Sequence, residues 1–294
     1  MLSFKPIRLE DRELFTQYLH QPGMYGCDNS FVTNYLWQEA YHVEYTVFQG
    51  ALLTKGGHWQ VEHYFGVPLG VTKENCRQVA EALLDYSGGQ FCIDGLYENQ
   101  IDLVKALFPQ AVFEENPDES DYIYLQQDLA TLAGRRFHGQ KNHLNAFYKA
   151  HPDAVYETID KSNSAECLDF ALNWCEERSA KDATILDEQL ALKKAFAHFE
   201  ELGLRCGAIR FDGRIQAMSI GDKYLEDIAD IHFEKANKAV RGLYTAMCQG
   251  FAANAWQDVK YLNREEDMGL AGLRKAKQDL HPVLMWKRYN AVIK

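Results

Sequence analysis

The sequence predicts an α/β protein built from two similar halves. Three observations carry this reading. Helical and strand-like periodicities alternate along all 294 residues. One order of elements, namely hairpin, strand, glycine, helix, strand and helix, occurs twice. A hydrophobic fraction of 47%, with 25% of residues charged, is enough to fill two ordinary cores.

In the first half, helical runs cover Leu9 to Leu19 and Phe31 to Ala40, the second with Asn29 or Ser30 as its N-cap. Strand-like Tyr45 to Phe48 and Ala51 to Thr54 flank Gln49-Gly50, a short hairpin turn, and Trp59 to Phe65 is the third strand. After Pro68-Leu69-Gly70, Val79, Leu83 and Leu84 recur at helical spacing within Lys73 to Tyr86. Phe91-Cys92-Ile93 reads as a strand and Gln100 to Leu107 as a helix.

The second half repeats this order. Helical runs at Ala165 to Glu177 and Asp187 to Leu202 precede strands Cys206 to Phe211 and Arg214 to Ile220, which flank the hairpin signal Asp212-Gly213. Ile228 to Glu234 is the next strand, and Gly242 opens a helix to about Trp256. Val259 to Leu262, Met268 to Lys277 and Leu284 to Tyr289 read as strand, helix and strand. Laid side by side, Phe48-Gln49-Gly50 matches Phe211-Asp212-Gly213, Gly70 matches Gly242, and Phe91-Cys92-Ile93 matches Lys260-Tyr261-Leu262.

Between the halves, Leu129 to Pro152 contains no acid. The expected division is therefore residues 1–128, a basic connecting segment at 129–152, and residues 153–294. From Gln140 the connector reads as a helix that ends before Pro152, with Leu144, Phe147 and Tyr148 on its buried side.

A formal net charge of −11 excludes long-range attraction of polyanions by the molecule as a whole. Seven scattered cysteines, never in a C-x-x-C pair, speak against a disulfide framework or a zinc site and for a reducing compartment. The N-terminus lacks a signal-like apolar core, and no stretch approaches the roughly 20 apolar residues of a membrane span. The expected setting is cytoplasmic.

Two motifs carry a family resemblance. One is Gly134-Arg135-Arg136-Phe137 followed by Lys141-Asn142-His143-Leu144-Asn145-Ala146-Phe147. The other, more specific, is Tyr261-Leu262-Asn263-Arg264-Glu265-Glu266-Asp267-Met268-Gly269-Leu270-Ala271-Gly272-Leu273-Arg274-Lys275-Ala276-Lys277. Together they resemble the C-terminal synthase domain of phosphatidylglycerol lysyltransferase. The resemblance implies two tandem GNAT-like domains, each a mixed, mostly antiparallel sheet flanked by helices. It also implies kinship with the aminoacyl-tRNA-dependent transferases that build peptidoglycan crossbridges. An aminoacyl- or acyl-transferase acting on an amine or hydroxyl acceptor follows as the leading expectation. The acceptor would be a small molecule or a lipid headgroup, and the donor aminoacyl-tRNA. A coenzyme A-dependent N-acetyltransferase, with acyl-CoA as donor, and a non-catalytic binding module are the alternatives.

Four constellations are candidates for chemistry. On the strand Ile228 to Glu234, alternation puts Asp230, His232 and Glu234 on one face. A His or Glu there can take a proton from an attacking amine, with a carboxylate orienting the imidazole. The plain alternative is a polar strand face lying against a helix. No distinctive further metal ligand accompanies this stripe, and no metal is expected.

The second is the turn Asn237 to Tyr244. GNAT acetyltransferases have [QR]-x-x-G-x-[GA] here, whose amides cradle a pyrophosphate at a helix N-terminus. Only Gly242 matches, with Ala239 and Tyr244 at the other two places. Lys238 and Arg241 could meet an anion, and Tyr244 could protonate a leaving group. The first-half counterpart, Val67 to Thr72, is a poorer phosphate loop, so the first half is expected to support structure or substrate.

The third is Asn263-Arg264-Glu265, which would form a substrate-binding wall, with Arg264 offering a planar fork to a carboxylate or phosphate. Asn263 or Asp267 would cap the following helix, and Glu265, Glu266 and Asp267 would face its positive end. The fourth is the patch Arg135, Arg136 and Lys141, either a tRNA contact or a solvated helix face.

Overall fold

The computed structural model describes residues 2–21, 23–58, 61–179 and 185–294. In chain order the elements are β1 (Lys5–Pro6), α1 (Arg12–Leu19), α2 (Phe31–Trp37), β2 (Glu44–Phe48), β3 (Ala51–His58), β4 (Val61–Phe65), α3 (Cys76–Ser87), β5 (Phe91–Tyr97), α4 (Ile101–Leu107) and β6 (Val112–Leu125). There follow α5 (Gln126–Thr131), α6 (His138–Ala150), β7 (Val155–Thr158), α7 (Ser164–Ser179), α8 (Ile185–Ala197), β8 (Arg205–Phe211), β9 (Arg214–Lys223), β10 (Ile228–Ala236), α9 (Leu243–Ala255), β11 (Tyr261–Asn263), α10 (Ala271–Gln278) and β12 (Leu284–Ile293). Trp59, read from the sequence as the start of the third strand, lies outside the described residues. Ser30 caps α2, its hydroxyl accepting from the amides of Val32 and Thr33.

The chain forms two compact units. One holds the residues up to Asp121 together with Trp286–Lys294, the other Tyr122–Met285. In the first unit β1, β2, β3 and β4 pair antiparallel in sequence order, β4 pairs β5 in parallel, and β5 pairs β12 antiparallel. In the second, β7, β8, β9 and β10 pair antiparallel, β10 pairs β11 in parallel, and β11 pairs β6 antiparallel. Each unit thus has a mixed, mostly antiparallel sheet of the same order. The closing strand is exchanged between the halves of the chain. The end of β6 closes the second unit, and the C-terminal strand closes the first.

Local chemistry explains the repeated turns. Gln49 and Gly50 have φ of 51° and 78°, and Asp212 and Gly213 have 51° and 72°. Positive φ at both central residues is the type I′ turn that matches strand twist. Gly70 and Gly242 also share a left-handed backbone, at φ 78° and 84°.

The connector expected at 129–152 is instead part of the second unit's core. Leu129, Leu132, Phe137, Leu144 and Phe147 are buried with Ala229, Ile231, Leu243, Met247, Phe251 and Trp256. Burying each large apolar side chain contributes about 1.5–3 kcal/mol, so this segment is held in place. Gln126 ties it further, donating its side-chain amide to Ala252 O at 2.8 Å. Gly242 sits where α6 meets the start of α9. A Cβ there would lie 2.5 Å from His143 O and 3.1 Å from Phe147 Cβ. No helix among the described residues is long and apolar enough to cross a membrane.

Gly242→Ala must therefore pay both for a left-handed backbone and for a collision with backbone oxygen. It is expected to lower unfolding stability by about 2–4 kcal/mol. Gly213→Ala, also left-handed but with nothing within 4 Å, should cost only about 1 kcal/mol. Urea denaturation of the two variants checks the ranking.

Candidate functional site

β10 and β11 run together only briefly. Ile228, Ala229 and Asp230 face Tyr261, Leu262 and Asn263, after which β11 ends. The Asn263 side-chain oxygen accepts the Glu265 amide at 2.8 Å and turns the chain away. β10 continues beside β9, and where the strands part its register shifts between Ile231 and Phe233. His232 is the extra residue of a β-bulge.

The bulge changes which side chains share a face. Asp230 lies opposite Asp222, Phe233 opposite Ile220 and Lys235 opposite Met218, all on one face. Ala229, Ile231 and Ala236 face the core under α9, and Glu234 falls in phase with them. The single stripe of Asp230, His232 and Glu234 expected from alternation is broken. Asp230 and His232 stay together, while Glu234 turns to the α9 side.

Four polar side chains converge on the Asp230 face. The His232 ring, whose side chain is 0% exposed, has Nε2 at 2.7 Å from Asp222 Oδ1. Its Nδ1 is 3.3 Å from Glu265 Oε1 and 3.8 Å from Asp230 Oδ2. Asp222 and Asp230 are buried, and Glu265 keeps 20% of its side chain exposed as the solvent-facing member. Burial alone would lower the His232 pKa, but the carboxylates of Asp230, Asp222 and Glu265 outweigh it and hold it well above the usual value. Burial raises the Glu265 carboxyl above the usual range, against the opposing pull of His232. Asp222 and Glu265 are the site members that sequence reading missed or cast differently. Glu265 stood as a wall residue, and Asp222 carried no local signal.

On the other face, Arg264 Nη2 donates to Glu234 Oε1 at 2.7 Å, and the guanidinium lies 5.9 Å from the Tyr124 ring. Burial pushes the Glu234 carboxyl up while Arg264 pulls it down, with burial prevailing. Arg264 is thus a partner within the protein as well as an expected anion anchor.

The loop that carries Glu265 is fixed at several points. Glu265 and Met268 have left-handed φ of 55° and 53°. Lys277, buried, donates its ammonium to the carbonyls of Arg264, Glu265 and Glu266. Asp267, fully buried, accepts from Arg274 Nε and Nη2 at 2.8 Å, from Tyr122 Oη at 2.6 Å and from the Gly269 amide at 2.9 Å. The capping expected of Asn263 or Asp267 is corrected here. α10 begins at Ala271 after Leu270, with no side-chain cap and no acid in its first turn. Both side chains shape the loop instead, because the helix starts too late for either to reach its first amides.

The remaining candidates lie elsewhere. Lys238 Nζ stands 5.0 Å from the Trp174 ring, with Lys235 Nζ at 4.1 Å from the same ring. Arg241 is exposed, and Tyr244 packs half-buried against the core under α9. Arg136 pairs with Asp128 and stacks on Phe137 at 4.9 Å. Lys141 Nζ donates to Thr131 O at 3.3 Å. Arg135 is exposed.

Comparison with known proteins agrees with this architecture. The model of the family described as phosphatidylglycerol lysyltransferase, C-terminal, matches residues 21–292. A conserved protein of unknown function from Bacteroides thetaiotaomicron VPI-5482 has a solved structure 32% identical in sequence, with a TM-score of 0.91 and 100% of both chains covered. The structure of L-PGS from Bacillus licheniformis is 14% identical, with a TM-score of 0.69 over 100% of this chain and 94% of that one, a likeness of fold. An uncharacterised protein of Mycoplasmoides gallisepticum is 23% identical over 199 residues. That match spans 67% of this chain and 63% of the relative, less than two thirds of its length. The fold is GNAT-like.

The Asp267 node generates a pH-dependent prediction. Hydrogen bonds from Arg274, then Tyr122 and the Gly269 amide, lower the Asp267 pKa to about 2 against the cost of burial. A depressed carboxylate contributes stability that is present above its unfolded pKa near ~3.9 and lost as pH falls through the folded value. Wild type should lose this contribution between about pH 4 and 2. Asp267→Asn should already be less stable at neutral pH by about 2 kcal/mol and lack this loss in that window. Urea midpoints across the acid range measure the difference between the two proteins.

Proposed function

The chain belongs to the phosphatidylglycerol lysyltransferase C-terminal family, and from that membership we propose that it is an aminoacyl- or acyl-transferase whose donor is an aminoacyl-tRNA. One observation carries the assignment of the site. Asp222, Asp230, His232 and Glu265, from β9, β10 and the loop after β11, meet where a parallel strand pair parts. Openings at the carboxyl ends of parallel strands are where α/β sheets admit ligands.

The reaction joins the acceptor's nitrogen or oxygen to the donor's carbonyl carbon and breaks the donor's ester C–O bond. The acceptor's proton ends on the departing ribose oxygen. The carboxylate-rich face suits a ligand with a primary ammonium, which every aminoacyl donor carries. Glu265 is the member open to solvent and meets the entering group first. Arg264 and Glu234 support the wall from the opposite face. Arg135, exposed beside α6, is the candidate contact to the donor's phosphates, whereas Arg136 is partly neutralised by Asp128. A coenzyme A donor fits less well, since only Gly242 of the pyrophosphate-cradling turn is present, with Ala239 and Tyr244 at the other two places.

The test uses purified protein, tRNA charged with labelled amino acids, and acceptors bearing hydroxyl or amine groups. Label should move from tRNA to acceptor, and Glu265→Gln should slow transfer at least about tenfold. Arg135→Glu should raise KM for the charged tRNA without a matching fall in kcat. Intact aminoacyl-tRNA alongside transfer from acetyl coenzyme A would overturn the proposal.

A further inference from the structure

The His232 centre has a second feature that acyl transfer does not require. Its two ring nitrogens have different environments. Nε2 is 2.7 Å from Asp222 Oδ1, the arrangement by which a carboxylate orients a metal-binding imidazole from behind. Nδ1 points the other way, towards Glu265 at 3.3 Å and Asp230 at 3.8 Å. Ligand atoms of Asp230, His232 and Glu265 all lie within 4.8 Å of one another. Donors bound to one ion at about 2.0–2.2 Å stand roughly 3–4 Å apart, so small side-chain shifts would bring all three into range.

The backbone is shaped to hold this set. The bulge brings His232 and Asp230 to one side of β10. Glu265 holds a left-handed φ of 55°, a costly backbone for a non-glycine residue. The Asn263 oxygen on its amide and Lys277 on its carbonyl keep it there. Charge points the same way. Three carboxylates surround one imidazole in a largely buried place, and the nearby Lys277 is committed to three backbone carbonyls.

We propose that Asp230, His232 Nδ1 and Glu265 form a binding site for one divalent transition-metal ion, with Asp222 as the carboxylate behind the histidine. One imidazole and two carboxylates suit Zn2+, Mn2+ or Co2+. Three protein ligands leave a coordination position for water or substrate, as catalytic sites require. If the transfer reading above holds, an ion here would polarise the donor's carbonyl. Binding itself does not depend on that reading.

The experiment titrates chelator-treated full-length protein with Co2+ and follows visible absorption, with Zn2+ as competitor. One equivalent should give ligand-field bands without the thiolate charge-transfer absorption that cysteine binding would add, and Zn2+ should abolish them. His232→Ala should remove the bands. Asp222→Asn should weaken Co2+ binding about 10–100-fold. Because His232 is buried, Glu265→Gln, at the exposed edge, provides the second variant and should also weaken binding at least about tenfold. No bands at millimolar Co2+, thiolate-type bands, or unchanged affinity in folded Glu265→Gln would each overturn the site. Transfer activity in metal-free protein would leave the transferase reading standing, and stoichiometric binding without transfer would leave this one.

Discussion

One extra residue in β10 decides how the second unit is arranged. Without the bulge at His232, Asp230, His232 and Glu234 would share a face, and the core under α9 would lose the phase that brings Ala236 back to it. With it, the strand serves two environments. Asp230 and His232 meet Asp222 and Glu265 on one side, and Glu234 meets Arg264 on the other. A bulge leaves its extra residue outside the regular ladder, which is how a buried strand can aim a ring at a site.

The bulge alone would not make a site, because Glu265 comes from a loop 33 residues later. That loop is held by charge and hydrogen bonding. Lys277 gathers three carbonyls, Asp267 gathers Arg274, Tyr122 and an amide, and Asn263 holds the Glu265 amide. Buried polar networks of this kind rigidify when every member is satisfied. On the far side of β10, α6 presses against Gly242 and fixes the start of α9. Packing and polar networks therefore hold the two faces of one strand by different means.

Much of the fold was legible in the sequence. The turns Gln49-Gly50 and Asp212-Gly213 are marked by residues that tolerate positive φ, and both have it. The helix α3 follows from apolar spacing, and α9 begins at the glycine that opens it in the sequence. The exchange of β6 and β12 was not legible, since edge pairing is decided by tertiary structure. β6 also carries Glu114, Glu115, Pro117, Asp118 and Glu119, which hide any strand pattern. Gly242 was singled out for a ligand, whereas the requirement visible in the fold is close approach of α6. The bulge was invisible because Ala229 to Glu234 alternates without a break in sequence. Asp222 and Glu265 join His232 only through pairing between strands and loop closure, which local patterns do not encode.

The central claim is that acyl transfer takes place at the His232 centre where β10 and β11 part. The most direct measurement is a crystal structure with a non-hydrolysable aminoacyl-adenosine analogue, an amide in place of the ester. The account predicts the aminoacyl carbonyl and ammonium beside Asp230, His232 and Glu265, with the adenosine leading away from the parted strands. An analogue seated at any other surface, with this centre left without it, would contradict the account.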